Sequence, residues 1–213
     1  MLNERTRFGV EGNEMNFSVD SLTVELPLFQ GDGGGASPTS THQLYFKEVD
    51  ANTAAIAYKK WHYLGDTDFI SQINFGVYHE GLLEGAISYG PPNAKVLKDY
   101  WTPETQKGWW EIKRLVCSPK CPKNSESRFI GFTIRSLRKS CVVLGIVTYA
   151  DDGQNHDGTI YKASGFCYKG LTAPKKDYWV EGKVVQRGTV KDLNGKWKDR
   201  TRKHLFIKDF RQN

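Results

Sequence analysis

From residue 44 onward, apolar and polar positions alternate in short blocks whose periods distinguish strands from helices. LYFKEV (Leu44–Val49) alternates as a strand does. Asp50 or Asn52 is placed to cap a helix through AAIAYKKWHYL, where Ala55, Tyr58 and His62, or Ile56, Lys59 and Tyr63, share a face. INFGVYHEGLLEGAISYG (Ile73–Gly90) reads as two strands around a Glu80-Gly81 turn. WWEIKRLVC (Trp109–Cys117) is a further strand, with Trp110, Ile112, Arg114 and Val116 on one side and Glu111, Lys113 and Leu115 on the other. SESRFIGFTIRSLRKSC (Ser125–Cys141) is an amphipathic helix, its Phe129, Ile130, Phe132, Ile134 and Leu137 opposite Arg128, Arg135 and Arg138. GIVTYAD (Gly145–Asp151) is a short buried strand, followed by a short helix near Gly158–Ser164 and a strand FCYKG (Phe166–Gly170). The order β-α-β-β-β-α-β-α-β predicts an α/β (α+β) fold: one mixed, twisted sheet with helices on both faces.

Three segments follow from composition. Residues 1–43 form an arm and flexible linker, since Gln30–Gln43 is rich in Gly, Ser and Thr with almost no apolar content. Within the arm, LTVELPLF (Leu22–Phe29) is a candidate edge strand or docking segment, and Pro27 argues against a central strand. Residues 44–170 are the core, and residues 171–213 a basic, aromatic-rich extension of the same domain. A chain of 213 residues, 38% hydrophobic and 25% charged, is globular rather than disordered. No apolar run approaches the ~18 residues of a membrane span, and MLNERTRFGV lacks the apolar stretch of a signal peptide. Residence in the cytoplasm, without membrane contact, is expected. Cys117, Cys121, Cys141 and Cys167 suit a reducing compartment. C-S-P-K-C has tolerable zinc spacing, but no second Cys or His pair follows it, so reduced, partly buried thiols are expected.

Charge changes the picture at the end of the chain. Lys169–Asn213 holds thirteen Lys and Arg against five Asp and Glu, a net +8. With the whole chain at +6, the preceding 168 residues stand at about −2. Lys175, Lys176, Arg187, Lys196, Lys198, Arg200, Arg202 and Lys203 are interleaved with Tyr178, Trp179, Trp197, Phe206 and Phe210. Cations for phosphates beside flat rings for stacking form a nucleic-acid signature. The competing reading is a solvated lysine-rich surface whose rings pack inward.

The element order is similar to that of the GNAT acyltransferases, in which the fourth and fifth strands splay and open a V-shaped slot for an acyl donor. GNAT enzymes that use acyl-CoA start the following helix with an R/Q-x-x-G-x-G/A turn that binds pyrophosphate, and CPKNSESRFIGF departs from it. Ser125, Ser127 and Arg128, with Ser136 farther along, remain candidates to bind a donor's anion; equally, Asn124 or Ser125 simply caps the helix. WHYLG (Trp61–Gly65), EIKRLVC (Glu111–Cys117), NSESRFIGFTIRSLRK (Asn124–Lys139) and above all YADDGQNHDGTIYKASGFCYKG (Tyr149–Gly170) resemble the phage Mom proteins. The resemblance spans roughly residues 44–170, more weakly through the basic tail. It implies a GNAT-like enzyme that converts adenine in DNA to its N6-carbamoylmethyl form and so protects phage DNA from host nucleases.

The resemblance makes His62, Tyr63, Asp151 and Tyr161 catalytic candidates and implies iron, for which His62, Asp151 and Tyr161 would be N/O ligands. Each also has a plainer role: Asp151 as a turn cap, Tyr161 as a packed phenol, His62 as a helix C-cap. His156, in the Gly153–Gly158 loop, is a further acid–base candidate. Arg114, mid-strand among apolar residues, needs an anionic partner, whether a donor phosphate or a carboxylate such as Glu111 or Asp151. The donor is an activated acyl group, either acetyl-CoA-like or a glycyl-tRNA, which would make tRNA a partner besides double-stranded DNA. Trp61, Tyr89, Trp109 and Trp110 are candidate platforms for a flipped base. The chain is also compatible with a homodimer, with a GNAT N-acetyltransferase acting on a small amine or protein, and with a non-catalytic DNA-binding module.

Overall fold

The computed structural model describes residues 37–65, 69–93, 106–185 and 194–211. The candidate strand at 22–29 lies outside them, as do Arg187 and most of the predicted linker. β1 (Tyr45–Val49) leads into α1 (Ala51–Trp61), where the Asp50 carboxylate accepts from Thr53 N at 2.7 Å and caps the first turn. β2 (Ile73–His79) and β3 (Leu82–Gly90) are joined by Glu80 (φ 48°) and Gly81 (φ 80°). Two consecutive positive φ angles suit the twist of a tight hairpin. β4 (Trp109–Cys117), α2 (Ser125–Ser140), β5 (Gly145–Asp151), α3 (Thr159–Ala163) and β6 (Cys167–Leu171) then follow as the periodicity predicts.

The tail adds four strands that the sequence reading left unassigned. β7 (Lys175–Val180), β8 (Lys183–Val185) and β9 (Lys196–Arg200) form a separate three-stranded sheet in the order β8-β7-β9. β10 (Lys203–Asp209) returns to the main sheet, whose order is β1-β2-β3-β4-β5-β10-β6. Within the 171–213 extension, Lys203–Asp209 therefore belongs to the main sheet. This last strand runs between β5 and β6, antiparallel to both, and contributes the buried Phe206 and Ile207.

Helices cover both faces of this sheet. α1 lays Ala54, Ala57 and Tyr58 against Ala86 of β3. α2 sets Phe129, Ile130, Ile134 and Leu137 against the opposite face, with Phe75, Ile87, Tyr89 and Ile112. β2 and β3 are buried nearly throughout because each face has a cover.

Among the described residues β4 and β5 are the only parallel neighbours in the sheet, and they pair only from Trp109↔Gly145 to Glu111↔Val147. Glycine makes that closure feasible: a Cβ on Gly145 would stand 2.2 Å from the Trp109 ring, and one on Gly108 would stand 2.4 Å from Leu144. Beyond Glu111 the strands part. Phe206, fully buried against Tyr161 and Tyr168, wedges β10 and α3 together behind the gap. Phe206→Ala should cost about 3–5 kcal/mol, read by urea unfolding. A loss below about 1 kcal/mol would mean that β10 is peripheral after all.

Candidate active site

Where β4 and β5 separate, the gap opens into a cleft of about 700 Å³. β4 supplies Glu111 to Cys117, β5 supplies Tyr149, Ala150 and Asp151, and the loop into α3 supplies Gln154 to Tyr161. The end of α1 brings Trp61, His62 and Tyr63, and β10 brings Lys203. All five catalytic candidates line this one cavity: His62, Tyr63, Asp151, His156 and Tyr161.

His62 ends α1 as its C-cap, its backbone N–H donating to the Tyr58 carbonyl at 3.0 Å. Its Nδ1 accepts from Leu64 N at 3.1 Å, which leaves the ring proton on Nε2. Burial, then the charges of Arg114, His156 and Lys203, hold its pKa down to about 4. The imidazole is thus neutral near pH 7 and offers an N–H. Tyr63 stacks on it with ring centroids 4.6 Å apart and donates its hydroxyl to Asp151 Oδ2 at 3.2 Å. Burial and the neighbouring Asp151 carboxylate push the Tyr63 phenol up to about 12, so it stays protonated. Asp151 fills two roles. Oδ1 accepts from Gly153 N at 3.0 Å and caps the following 3-10 turn, while Oδ2 receives Tyr63.

Tyr161 lies deeper, packed near Phe166 and Phe206, its pKa raised by burial and moderated by the Thr148 hydroxyl. His156 is exposed, edge-on to Tyr63, with its backbone N–H on the Asp151 carbonyl. Arg114 lines the wall on β4, with its guanidinium 4.8 Å above the Phe69 ring. Burial lowers its pKa, and Tyr63, Tyr58 and Glu111 work against that shift. Glu111 pairs with Lys113 at 3.2 Å.

The donor-binding candidates other than Arg114 are not on the cleft wall. Ser125 is fully buried, its hydroxyl donating to the Pro122 carbonyl at 2.6 Å. Ser127 donates to the Asn124 carbonyl at 3.1 Å, and Arg128 to Thr41 Oγ1 at 3.1 Å. Ser136 sits farther along α2, its carbonyl accepting from Ser140. Asn124 makes no side-chain cap bond, and the α2 residue that does reach the cleft is Glu126. A carboxylate there opposes a pyrophosphate, so these residues do not fit CoA's diphosphate.

Iron fares no better. Among the described residues no group of three or more His, Cys, Asp or Glu is placed to hold a metal ion. Tyr161 resists becoming a phenolate, and both Asp151 oxygens already accept protein donors. The implied donor set of His62, Asp151 and Tyr161 does not fit a metal, and no step below uses one. Of the candidate base platforms, Trp61 lines the cleft, whereas Tyr89 and Trp109 are core and Trp110 is half-buried outside it. Phe69, Tyr149, Glu126 and Lys203 were not expected there. Tyr149 alone carried a sequence signal, as the residue two before Asp151 on an alternating strand.

The small sheet sorts the tail's charges by register. Lys175↔Arg200, Asp177↔Lys198 and Trp179↔Lys196 share one face; Lys176↔Asp199 and Tyr178↔Trp197 share the other. On the first, Arg200 is bidentate to Asp177 and the Lys198 ammonium lies 4.8 Å over the Trp179 ring. That face carries four cations against one carboxylate. On the second, Lys176 and Asp199 pair at 3.8 Å and Tyr178 packs on Trp197. Arg202 instead turns its guanidinium to the Thr172 carbonyl at 2.8 Å.

Solved structures similar to this one include acetyltransferases. Arabidopsis thaliana NAA60 in complex with acetyl-CoA superposes with a TM-score of 0.53 at 12% identity, covering 79% of this chain and 99% of that one. A ribosomal-protein-alanine N-acetyltransferase from Brucella melitensis gives 0.49 at 14% identity, covering 78% and 99%. The first likeness shows the GNAT fold and nothing finer. No curated protein sequence matches significantly. A family model described as the Mom protein family matches residues 43–212, every strand of the main sheet and all of the cleft, and the chain belongs to that family.

Proposed function

We propose that this transferase modifies adenine bases in DNA, joining a glycyl group from an activated ester to the exocyclic N6 and yielding N6-carbamoylmethyladenine. The observation that carries this reading is the cleft itself, where a neutral His62 N–H and the Tyr63–Asp151 pair converge at the parting of β4 and β5. Acyl transfer passes through a tetrahedral oxyanion, and a neutral N–H donor fixed beforehand stabilises that charge. His62 Nε2–H is such a donor. The purine ring delocalises the N6 lone pair, so attack requires a proton acceptor. Asp151 takes that proton through Tyr63, whose oxygen accepts from N6 as its own proton passes to Oδ2.

The first product, N6–CO–CH2–NH2, is an isomer of the carbamoylmethyl group. If the glycyl amine attacks C6, the new C6–N bond forms, the old C6–N6 bond breaks, and the original N6 becomes the terminal amide. In the preceding acyl transfer the ester C–O bond breaks as N6–C forms, and the donor's alcohol leaves with the proton given up by N6, so atoms balance without an oxidant. A glycyl ester on RNA also suits a site whose Glu126 opposes a diphosphate. Extruding the base costs a few kcal/mol, offset by stacking on Trp61 or Phe69. The basic face of the small sheet supports duplex binding by phosphate contact.

Three outcomes test this. Nucleosides from cells expressing the protein should include an adenosine heavier by one carbamoylmethyl group. Unmodified DNA together with acetyl-CoA retained on the purified protein would favour acetylation of a small amine or protein instead. Asp151→Asn and Tyr63→Phe should each lower the modification rate by about 10²- to 10⁴-fold while leaving the thermal transition nearly in place.

The pH dependence follows from His62. Its folded pKa, near 4, lies below the unfolded 6.5. The neutral form and its share of stability are therefore complete above 6.5 and are lost as pH falls toward 4. The kcat/KM profile should show no His62 inflection near 6.5, and His62→Gln, which keeps an N–H, should outperform His62→Ala. A sharp rise in rate through pH 6.5 that His62→Gln abolishes would instead make His62 a base.

Replacing Lys175, Lys196, Lys198 and Arg200 with Ala should flatten the salt dependence of duplex binding by roughly two to four units of slope, at ~0.9 per phosphate. Lys176→Ala, on the opposite face, should change it by less than about one unit. Equal effects from both faces would leave the register-sorted face without a role.

A further inference from the structure

Lys203 reads from the sequence as one more cation of the basic tail, yet the fold sets it apart from the rest. It opens β10 directly opposite Asp151, so both side chains leave the same face of the sheet, and both line the cleft. Its backbone is fastened on both sides. Lys203 N donates to Thr172 Oγ1 at 3.0 Å, and Thr172 N donates to the Lys203 carbonyl at 2.8 Å. The side chain therefore starts from a fixed point.

Three neighbouring cations have protein partners. Arg200 is held by Asp177, Lys176 by Asp199 and Arg202 by the Thr172 carbonyl. Lys203 is half-buried, and among the described residues no carboxylate pairs with its ammonium. Arg114 stands on the β4 side of the same cavity, and the fields of both cations reach His62. A partly desolvated ammonium without a protein anion is suited to take one from a ligand. Adenine is neutral and cannot supply it. The nearest anion that a nucleotide within a strand brings is its own backbone phosphate, which stays with the strand when the base swings inward.

We infer that Lys203, facing Arg114 across the cleft, forms an anion subsite for the phosphodiester that flanks the nucleoside held there. This rests on the nucleic-acid reading above. Two strands can present that phosphodiester, the DNA carrying the adenine or the 3′ end of an RNA carrying the glycyl ester, and the test separates them.

Fluorescence anisotropy of the full-length protein would compare three probes. They are a DNA duplex with one mispaired adenine, the same duplex with both flanking phosphates replaced by uncharged methylphosphonates, and an RNA hairpin with a single-stranded 3′ overhang. Lys203→Met should weaken binding of the first probe roughly 10- to 100-fold, cause no further loss on the methylphosphonate duplex, and be rescued by Lys203→Arg. A loss confined to the RNA hairpin supports the same subsite and assigns it to the donor strand. Equal losses on both duplexes, or no loss on any probe, overturn the inference while leaving the proposed activity standing. A wild-type protein that binds neither DNA nor RNA overturns both. Thermal unfolding of Lys203→Met and Lys203→Arg separates loss of charge from loss of fold.

Discussion

The site depends on a ladder that stops early. β4 and β5 share backbone pairing only through Glu111 and Val147, while each is paired over most of its length with another neighbour, β4 with β3 and β5 with β10. Because those outer ladders are intact, the two strands cannot drift back together beyond the break without surrendering hydrogen bonds elsewhere. The sheet therefore stays split. Gly108 and Gly145 let the closed end seat tightly around Trp109 and Leu144, so the V has a sharp vertex. His62, Tyr63, Asp151, His156 and Tyr161 are arranged around the open end.

That geometry also sets the electrostatics. The cleft mixes Arg114 and Lys203 with Asp151, Glu111 and Glu126 in a partly desolvated space. There, burial and positive neighbours keep His62 neutral, and burial with a negative neighbour keeps Tyr63 protonated. The outcome is a site rich in N–H and O–H donors at neutral pH, with the Asp151 carboxylate accepting from Tyr63. Such a constellation suits a reaction whose intermediate is an oxyanion and whose nucleophile is a weak amine.

Membership of the Mom family and the GNAT fold agree with each other, and the departures lie where the donor would sit. At the start of α2 the hydroxyls of Ser125 and Ser127 are taken up by the carbonyls of their own turn, and Glu126 is the group presented to the cleft. Local side-chain-to-backbone bonds of this kind are invisible in a motif. They explain why those residues looked like a phosphate site in sequence and serve instead to hold the turn.

Much was legible without coordinates. Periodicity and turn chemistry placed β1 to β6 and α2 within a residue or two, because these segments bury one face or both and their patterns record it, whereas α1 stops at Trp61, three residues short of the expected end. The family resemblance singled out His62, Tyr63, Asp151 and Tyr161, and the Gly153–Gly158 loop singled out His156; the fold brings all five to one cleft. The hairpin from β7 to β8 was missed although Glu181-Gly182 repeats the φ signature of Glu80-Gly81, since surrounding lysines masked the alternation. β10 was missed for the same reason: LFI is a short apolar run between charged neighbours, and only insertion between β5 and β6 buries it. Sequence alone determined which segments were strands and helices and which side chains had chemistry to offer. Tertiary structure decided that Lys203 belongs to the cleft, that the tail's cations divide between two faces, and that His62 is a neutral donor. Those properties arise from long-range strand pairing and burial, which depend on residues distant in the chain and leave no local periodicity to read.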